Sequence, residues 1–228
     1  MKIADRTFII SGGASGLGLA TAKDLHSHGA YVSILDMDAD AGEALIKELG
    51  SRAAFFTTDV SETENHRQAQ RAPPLSSIDF VLNINLRGTL DLIRQALPHM
   101  TKVTPLEPDN ERGILLLVSS SAAFDGQPGQ VAYAASKGAI ASLTLPLARD
   151  LARYGIRAVT IAPSLFESKM TSMLGEKAKK SLERVMEFPV RAGRPEEFAR
   201  LVREAVENVM LNGTVIRLDG AMRMPSKM

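Results

Sequence analysis

Residues 7–28 read Thr-Phe-Ile-Ile-Ser-Gly-Gly-Ala-Ser-Gly-Leu-Gly-Leu-Ala-Thr-Ala-Lys-Asp-Leu-His-Ser-His, and this stretch decides the fold. The apolar run 7–10 predicts a strand, and residues 19–28 predict a helix. Between them lies a turn with glycines at Gly12, Gly16 and Gly18. A strand, a glycine-rich turn and a helix form a phosphate-binding start, because glycines let the backbone approach a pyrophosphate and a helix N-terminus offers free N–H groups. The turn therefore predicts a dinucleotide site.

A second predicted strand, residues 30–35, ends at Asp36. An acid about 20 residues after the glycine turn can accept hydrogen bonds from the ribose hydroxyls of the adenosine half. Met37 and Asp38 follow, so no arginine stands ready for a 2′-phosphate. The stretch therefore favours NAD over NADP as the cofactor.

Strands and helices alternate along the rest of the chain. The predicted helices are 39–49, which Gly50 ends, 130–154 and 196–208, and the predicted strands are 53–58, 114–118, 157–161 and 214–218. This alternation predicts an α/β fold with one doubly wound parallel sheet, in a single domain over residues 1–228.

The predicted helix 130–154 carries Tyr133 and Lys137, four residues apart. This spacing puts both side chains on one helix face, and an ammonium beside a phenol favours the phenolate. Such a tyrosine can exchange a proton with a substrate oxygen near neutral pH. An ordinary amphipathic helix produces the same pattern, so the pair alone does not decide the function.

Composition excludes several other classes of function. The 228 residues are 45% hydrophobic and 23% charged, with a net charge of +1 and no cysteine. A near-neutral chain without basic blocks argues against nucleic-acid binding, and the absence of cysteine excludes thiolate catalysis. The four histidines are scattered, so we expect no metal site. No apolar run is long enough to span a membrane.

Together the glycine turn, Asp36, Asp59-Val60 and Tyr133-x-x-x-Lys137 resemble the short-chain dehydrogenase/reductase family. Four further stretches resemble the members that oxidise 3-hydroxyacyl-CoA. These stretches are 12–21, 123–127, 144–151 and 211–220, of which the last reads Leu-Asn-Gly-Thr-Val-Ile-Arg-Leu-Asp-Gly.

The resemblance implies an oxidoreductase that transfers a hydride between NAD and a secondary alcohol, most specifically 3-hydroxyacyl-CoA to 3-oxoacyl-CoA in fatty-acid β-oxidation. It implies that Tyr133 takes the hydroxyl proton, and that Lys137 favours the phenolate form of Tyr133 and holds the nicotinamide ribose. It also implies that Ser120 forms a hydrogen bond with the substrate oxygen and that Asn85 holds a water in the proton path. The implied cofactor contacts are Ser15 and Leu17 at the pyrophosphate, Asp36 at the ribose, Asp59 and Val60 at the adenine, and Pro163, Phe166 and Ser168 toward the nicotinamide. A homotetramer or homodimer with a small-molecule substrate, an acyl-CoA thioester, is also implied.

The stretch between Asp59 and Asn85 departs from the family pattern, because it is too short for the usual crossover helix, fourth strand and loop. Residues 61–71 are compatible with a helix that Pro73-Pro74 stops. Two interpretations of the following residues compete, and in one of them 78–83 is the fourth strand, with Asn83 at the start of the lost loop. In the other, which we prefer, 79–89 is already the next helix and Asn85 is the family's active-site asparagine. The second interpretation removes a strand that would sit beside the first strand, and so leaves backbone groups unpaired.

Three functions therefore remain open: an active 3-hydroxyacyl-CoA dehydrogenase, a catalytically impaired dinucleotide-binding or interaction protein, and an alcohol or steroid dehydrogenase. Residues 167–186 are expected to cover the substrate. The final Ser226-Lys227-Met228 resembles the peroxisomal Ser-Lys-Leu signal, which predicts a peroxisomal location, with the cytoplasm or mitochondrion as alternatives.

Overall fold

A computed structural model of the chain describes residues 2–58, 75–167 and 185–224. The strands are β1 (Thr7–Ser11), β2 (Tyr31–Asp36), β3 (Ala53–Thr57), β4 (Gly113–Val118), β5 (Ile156–Pro163) and β6 (Thr214–Leu218). The helices are α1 (Gly16–Ser27), α2 (Ala39–Leu49), α3 (Leu75–Leu82), α4 (Thr89–Met100), α5 (Val131–Leu151) and α6 (Pro195–Glu207). A π-helical segment, Asn83–Gly88, joins α3 to α4, and short 3₁₀ turns lie at Ser121–Ala123 and Ala152–Tyr154.

These bounds confirm the α/β alternation, with each predicted element shifted by three residues or fewer at its ends. Several predictions lie outside the described residues. They concern Asp59, Val60, the expected helix 61–71, Ser168, most of the covering segment 167–186, and the terminal tripeptide. The location inferred from that tripeptide stays a prediction.

The chain divides into two compact units. The first unit contains β1 to β3, α1, α2 and α6. Its strands form a parallel sheet in the order β1-β2-β3, in which Ile9 is paired with Ser33 and Ile34 with Phe55. Helix α1 packs against both β2 and α6, and each of these three elements contributes a buried apolar side chain: Leu25, Ile34 and Val202.

The second unit contains α3, α4, α5 and a sheet in the order β4-β5-β6. Every residue of β5 is buried, as its nearly continuous apolar sequence predicts for the middle strand of a sheet. Two buried side chains of β5 are polar, and both have partners. Arg157 contacts Glu111 at 2.7 Å, and Thr160 contacts Thr144 at 2.6 Å. The prediction of a single domain over residues 1–228 stays a prediction.

The described strands form two three-stranded sheets, where the sequence predicts one sheet. Strand β1 pairs only with β2, and β4 pairs only with β5, so each is the last described strand of its own sheet. Ile9 in β1 is 54% exposed and Val118 in β4 is 41% exposed. Burial alternates along β4, because successive side chains point to opposite faces of the sheet and one face is better covered than the other.

The course of the chain before Asn85 decides between the two interpretations of the shortened stretch. Residues 75–100 run through α3, the π-helical segment and α4 without a strand. The interpretation in which 79–89 is helical is therefore confirmed, and 78–83 is not a fourth strand.

Candidate active site

The glycine turn of the first unit is built so that only small residues fit. The φ angle of Gly16, the first residue of α1, is +52°, which a side chain rarely tolerates. A Cβ on Gly18 would overlap the carbonyl oxygen of Gly12, so glycine here lets the helix pack directly on the turn. These contacts are the physical reason for the predicted Gly-x-x-x-Gly-x-Gly spacing.

The N-terminus of α1 is left open by its own sequence. Ser15 occupies the capping position, but its side chain makes no capping hydrogen bond, and the first turn holds no acidic residue. By contrast, α2 begins with Asp38, whose carboxylate accepts a hydrogen bond from the Ala41 N–H at 3.0 Å. The free N–H groups and positive dipole end of α1 therefore fit an anion such as a pyrophosphate.

Asp36 links the end of β2 to the glycine turn. Its Oδ2 accepts a hydrogen bond from the Ala14 N–H at 2.9 Å, and its Oδ1 accepts one from the Asp38 N–H at 3.2 Å. Each carboxylate oxygen keeps a further lone pair. The first unit thus brings Asp36 to the glycine turn, as the sequence predicts, with acceptor capacity left for ribose hydroxyls.

Tyr133 and Lys137 lie on one face of α5 in the second unit. The Lys137 Nζ is 5.8 Å from the centroid of the Tyr133 ring, and the ring remains 38% exposed. The Lys137 ammonium donates to the Val118 carbonyl at 3.1 Å, which ties it to the end of β4. Burial of this ammonium lowers the pKa of Lys137 below its usual value.

Ser120 lies two residues after the end of β4 and caps the 3₁₀ turn at Ser121–Ala123. Its Oγ accepts a hydrogen bond from the Ala122 N–H at 3.1 Å. A hydroxyl that accepts in this way keeps its own O–H free to donate. The side chain is therefore a competent donor to a substrate oxygen, which is the role that the resemblance implies.

Asn85 lies inside the π-helical segment, a geometry that often occurs at functional sites. Its Nδ2 donates to the Ser136 Oγ at 3.0 Å, and Ser136 donates in turn to the Tyr133 carbonyl at 2.7 Å. The Thr89 hydroxyl donates to the Asn85 carbonyl at 2.8 Å. The second unit therefore connects Asn85 to the helix that carries Tyr133 and Lys137.

Pro163 and Phe166 belong to the first unit. Pro163 ends β5 and is buried. The Phe166 ring is also buried, 6.1 Å from the Phe198 ring in an edge-to-face contact, and it covers Gly193. The side chain of Phe166 is thus used for packing, and its contact with a nicotinamide stays a prediction.

Sequence reasoning missed two hydroxyl groups that hold the α5 residues. Ser136 lies between Tyr133 and Lys137 in the sequence, and Ser119 donates from its Oγ to the Lys137 carbonyl at 2.7 Å. The position of Ser136, three residues after Tyr133, was a usable signal, because residues i and i+3 share a helix face. No sequence signal pairs Ser119 with Lys137.

Two negative findings apply to residues 2–58, 75–167 and 185–224. No group of three or more histidine, aspartate or glutamate side chains is arranged to hold a metal ion there. Within the same ranges, no helix is long and apolar enough to cross a membrane.

Comparisons with known proteins agree with this geometry. A sequence model described as short chain dehydrogenase matches residues 6–73 and 68–179. The chain is 41% identical to the 3-hydroxyacyl-CoA dehydrogenase type-2 of Bos taurus, over 248 positions covering 95% of this chain and 94% of that one. It is 39% identical to the protein of the same name from Drosophila melanogaster, over 97% and 99% of the two chains.

A crystal structure of 3-hydroxyacyl-CoA dehydrogenase type-2 from Mycobacterium avium has a TM-score of 0.91 and 35% identity, covering 98% of this chain and 97% of that one. The Bos taurus alignment extends over 248 positions, so it includes positions of the relative that have no counterpart in these 228 residues. The two segments that match the family model overlap at residues 68–73, inside the stretch that departs from the family pattern. From the matched residues and the shared fold, we conclude that the chain belongs to the short-chain dehydrogenases, a family of oxidoreductases.

Proposed function

We propose that this protein is an NAD-dependent dehydrogenase that oxidises a 3-hydroxyacyl-CoA to the 3-oxoacyl-CoA in fatty-acid β-oxidation. The observation that carries the chemistry is the Tyr133 and Lys137 pair on one face of α5. The main-chain carbonyl of Tyr133 is linked through the Ser136 hydroxyl to the Asn85 side chain. The substrate class is supported by the identity to proteins named 3-hydroxyacyl-CoA dehydrogenase type-2.

In this proposal the catalytic side chains handle the substrate oxygen and its proton. Bound NAD supplies the hydride acceptor. The Ser120 O–H donates to the substrate oxygen, and Tyr133, as the phenolate, takes the proton that leaves this oxygen and becomes the neutral phenol. The Lys137 ammonium stabilises the negative charge of the Tyr133 phenolate before the proton is taken. Asn85 holds a water on the path by which the proton leaves.

Cofactor contacts in the proposal begin at the glycine turn. Gly12, Ser15, Gly16, Leu17 and Gly18 would hold the pyrophosphate at the open N-terminus of α1. Asp36 would accept from the adenosine ribose, and its negative charge would repel a 2′-phosphate, which favours NAD over NADP.

Further contacts with NAD are proposed from the resemblance. They are Asp59 and Val60 at the adenine, and Pro163, Phe166 and Ser168 toward the nicotinamide, with Lys137 on its ribose. We also propose a homotetramer or homodimer, which light scattering after size-exclusion chromatography would test.

A second candidate is a dinucleotide-binding protein with impaired catalysis. The division into two three-stranded sheets favours it, because β1 and β4 each lack a second described neighbour. A protein of this kind would bind NAD through the first unit without turning over a substrate.

The test measures NADH absorbance with 3-hydroxybutyryl-CoA beside the melting temperature with and without NAD. We expect NADH formation, and we expect Tyr133→Phe to abolish it while the NAD-induced rise in melting temperature persists, because only the hydroxyl is removed. Stabilisation by NAD without turnover would favour the impaired protein. Turnover of secondary alcohols or steroids, but not of the thioester, would contradict the proposed substrate.

A further inference from the structure

One hydroxyl group in the second unit lies between two parts of the proposed site. Ser136 is fully buried on α5. Its Oγ is 3.0 Å from the Asn85 Nδ2 and 2.7 Å from the Tyr133 carbonyl oxygen. Asn85 and Ser136 are 51 positions apart, so this contact joins two separate helical elements.

The direction of both hydrogen bonds follows from the chemistry of the three groups. A carbonyl oxygen can only accept, so the single proton of the Ser136 hydroxyl goes to the Tyr133 carbonyl. The Ser136 oxygen then has only lone pairs to offer Asn85. Asn85 must therefore turn its NH₂ group, and not its Oδ1, toward α5.

This direction determines what Asn85 presents on its other side. An amide whose NH₂ is held by Ser136 directs its Oδ1, a pure acceptor, away from Ser136. A rotation of the amide by 180° would set two oxygens with no proton between them against each other. The buried hydroxyl thus selects one of the two amide orientations.

The backbone of Asn85 is held at a second point. Its carbonyl accepts from the Thr89 hydroxyl at 2.8 Å, one turn further along. The π-helical geometry from Asn83 to Gly88 displaces this turn from a regular α-helix. With its carbonyl bonded to Thr89 and its amide bonded to Ser136, Asn85 has both of its polar groups oriented.

We propose that Ser136 is a positioning residue for the reaction, which acts through Asn85 by holding the amide with its acceptor oxygen available to a water. This inference rests on the proposed function, in which Asn85 holds the water in the proton path. Ser136 itself touches neither substrate nor cofactor in this proposal. Removing the Ser136 hydroxyl should therefore lower turnover only while the Asn85 side chain is present.

A double-variant cycle tests that dependence. We expect Ser136→Ala to lower kcat about tenfold or more while the KM for NAD changes less than about twofold, because a displaced catalytic group slows chemistry rather than binding. We expect the double variant Ser136→Ala with Asn85→Ala to match Asn85→Ala alone within about twofold. Losses that multiply in the double variant, or an unchanged kcat in Ser136→Ala, would overturn the proposal.

Thr144 provides the matched control on the same helix. It is also a buried hydroxyl of α5, bonded to Thr160 and to carbonyls of its own helix. Thr144→Val removes a buried hydroxyl at a distance of two helical turns from Ser136. We expect its melting temperature to fall while its kcat stays within about twofold of the wild type.

A measurement independent of activity follows the Asn85 side chain by NMR. We expect its Nδ2 protons to be protected from solvent exchange in the wild type and in Thr144→Val, and exposed in Ser136→Ala. Rapid exchange in the wild type would overturn the proposal even where Ser136→Ala does not fold. If the wild type does not oxidise 3-hydroxybutyryl-CoA, the proposed function fails, and the NMR result alone then supports or overturns the Ser136 contact.

Discussion

Asp36 shows how one side chain serves both the fold and the proposed cofactor site. It holds the glycine turn through the Ala14 N–H, and it ends β2 where a ribose would lie. Removing its carboxylate therefore has two effects. The glycine turn loses a hydrogen bond that holds it in place for any dinucleotide, and the site loses the negative charge that distinguishes NAD from NADP.

We expect Asp36→Ala to weaken NAD binding more than NADP binding, because only NADP gains from removal of the negative charge. Calorimetric titration of both dinucleotides measures the ratio of the two dissociation constants. Asp40→Ala, which removes an exposed charge in the first turn of α2, is the control and should leave the ratio unchanged. If the wild type bound NADP as tightly as NAD, the inference that Asp36 selects NAD over NADP would be wrong.

At the scale of elements, hydrogen bonds and an ion pair of Glu197 hold the start of α6. Pro195 occupies the first turn, and Glu197 accepts from the Arg194 N–H at 2.8 Å. Glu197 also forms a two-point contact with Arg191, with distances of 2.9 and 2.7 Å. These bonds, that to Arg191 first, lower the pKa of Glu197 from 4.5 to about 2.

Because its pKa is lower in the folded state, Glu197 contributes stability above pH 4.5 that is lost as the pH falls toward about 2. We expect Glu197→Gln to lower the free energy of unfolding near neutral pH, and the difference from the wild type to shrink through this window. Urea unfolding at several pH values measures this difference in the free energy of unfolding. Glu196→Gln, on the same helical turn but outside the Arg191 contact, is the control; an equal pH dependence in both variants would contradict the assignment.

At the scale of the whole molecule, the main feature is that the described strands form two sheets. Among the strands that the structure describes, β1 and β4 each have a neighbour on one edge only, and Ile9 and Val118 are exposed on them. Edge strands with exposed apolar side chains lose both hydrogen bonds and apolar burial relative to central strands. The relatives carry additional positions in their alignment with this chain.

We expect a variant with a fourth-strand segment from a relative, inserted immediately before Leu75, to melt at a higher temperature and turn over faster than the wild type. The physical reason is that a further strand would pair with an open strand edge and bury apolar surface. Differential scanning calorimetry and NADH formation measure the two effects. A glycine-serine insertion of equal length is the control, and equal values for all three proteins would show that these edges need no additional strand.

Local interactions explain what the sequence by itself determined. The strand, glycine turn and α1 follow from residues close in the chain, as does the position of Asp36 at the end of β2. The helical course through Asn85 was also predictable, because helical hydrogen bonds join residues a few positions apart. For the same reason, the four-residue spacing placed Tyr133 and Lys137 on one face of α5.

Tertiary structure decided the contacts between residues distant in the sequence. Nothing in the local pattern pairs Asn85 with Ser136 or the Ser119 hydroxyl with the Lys137 carbonyl, because these distances depend on how separate elements pack. The burial of the Phe166 ring against Phe198 and the division into two sheets have the same origin. The sequence thus determined which residues carry the proposed chemistry, whereas packing decided which polar groups orient them. The physical reason is that a hydroxyl acts only on the neighbour that the fold brings within hydrogen-bonding distance.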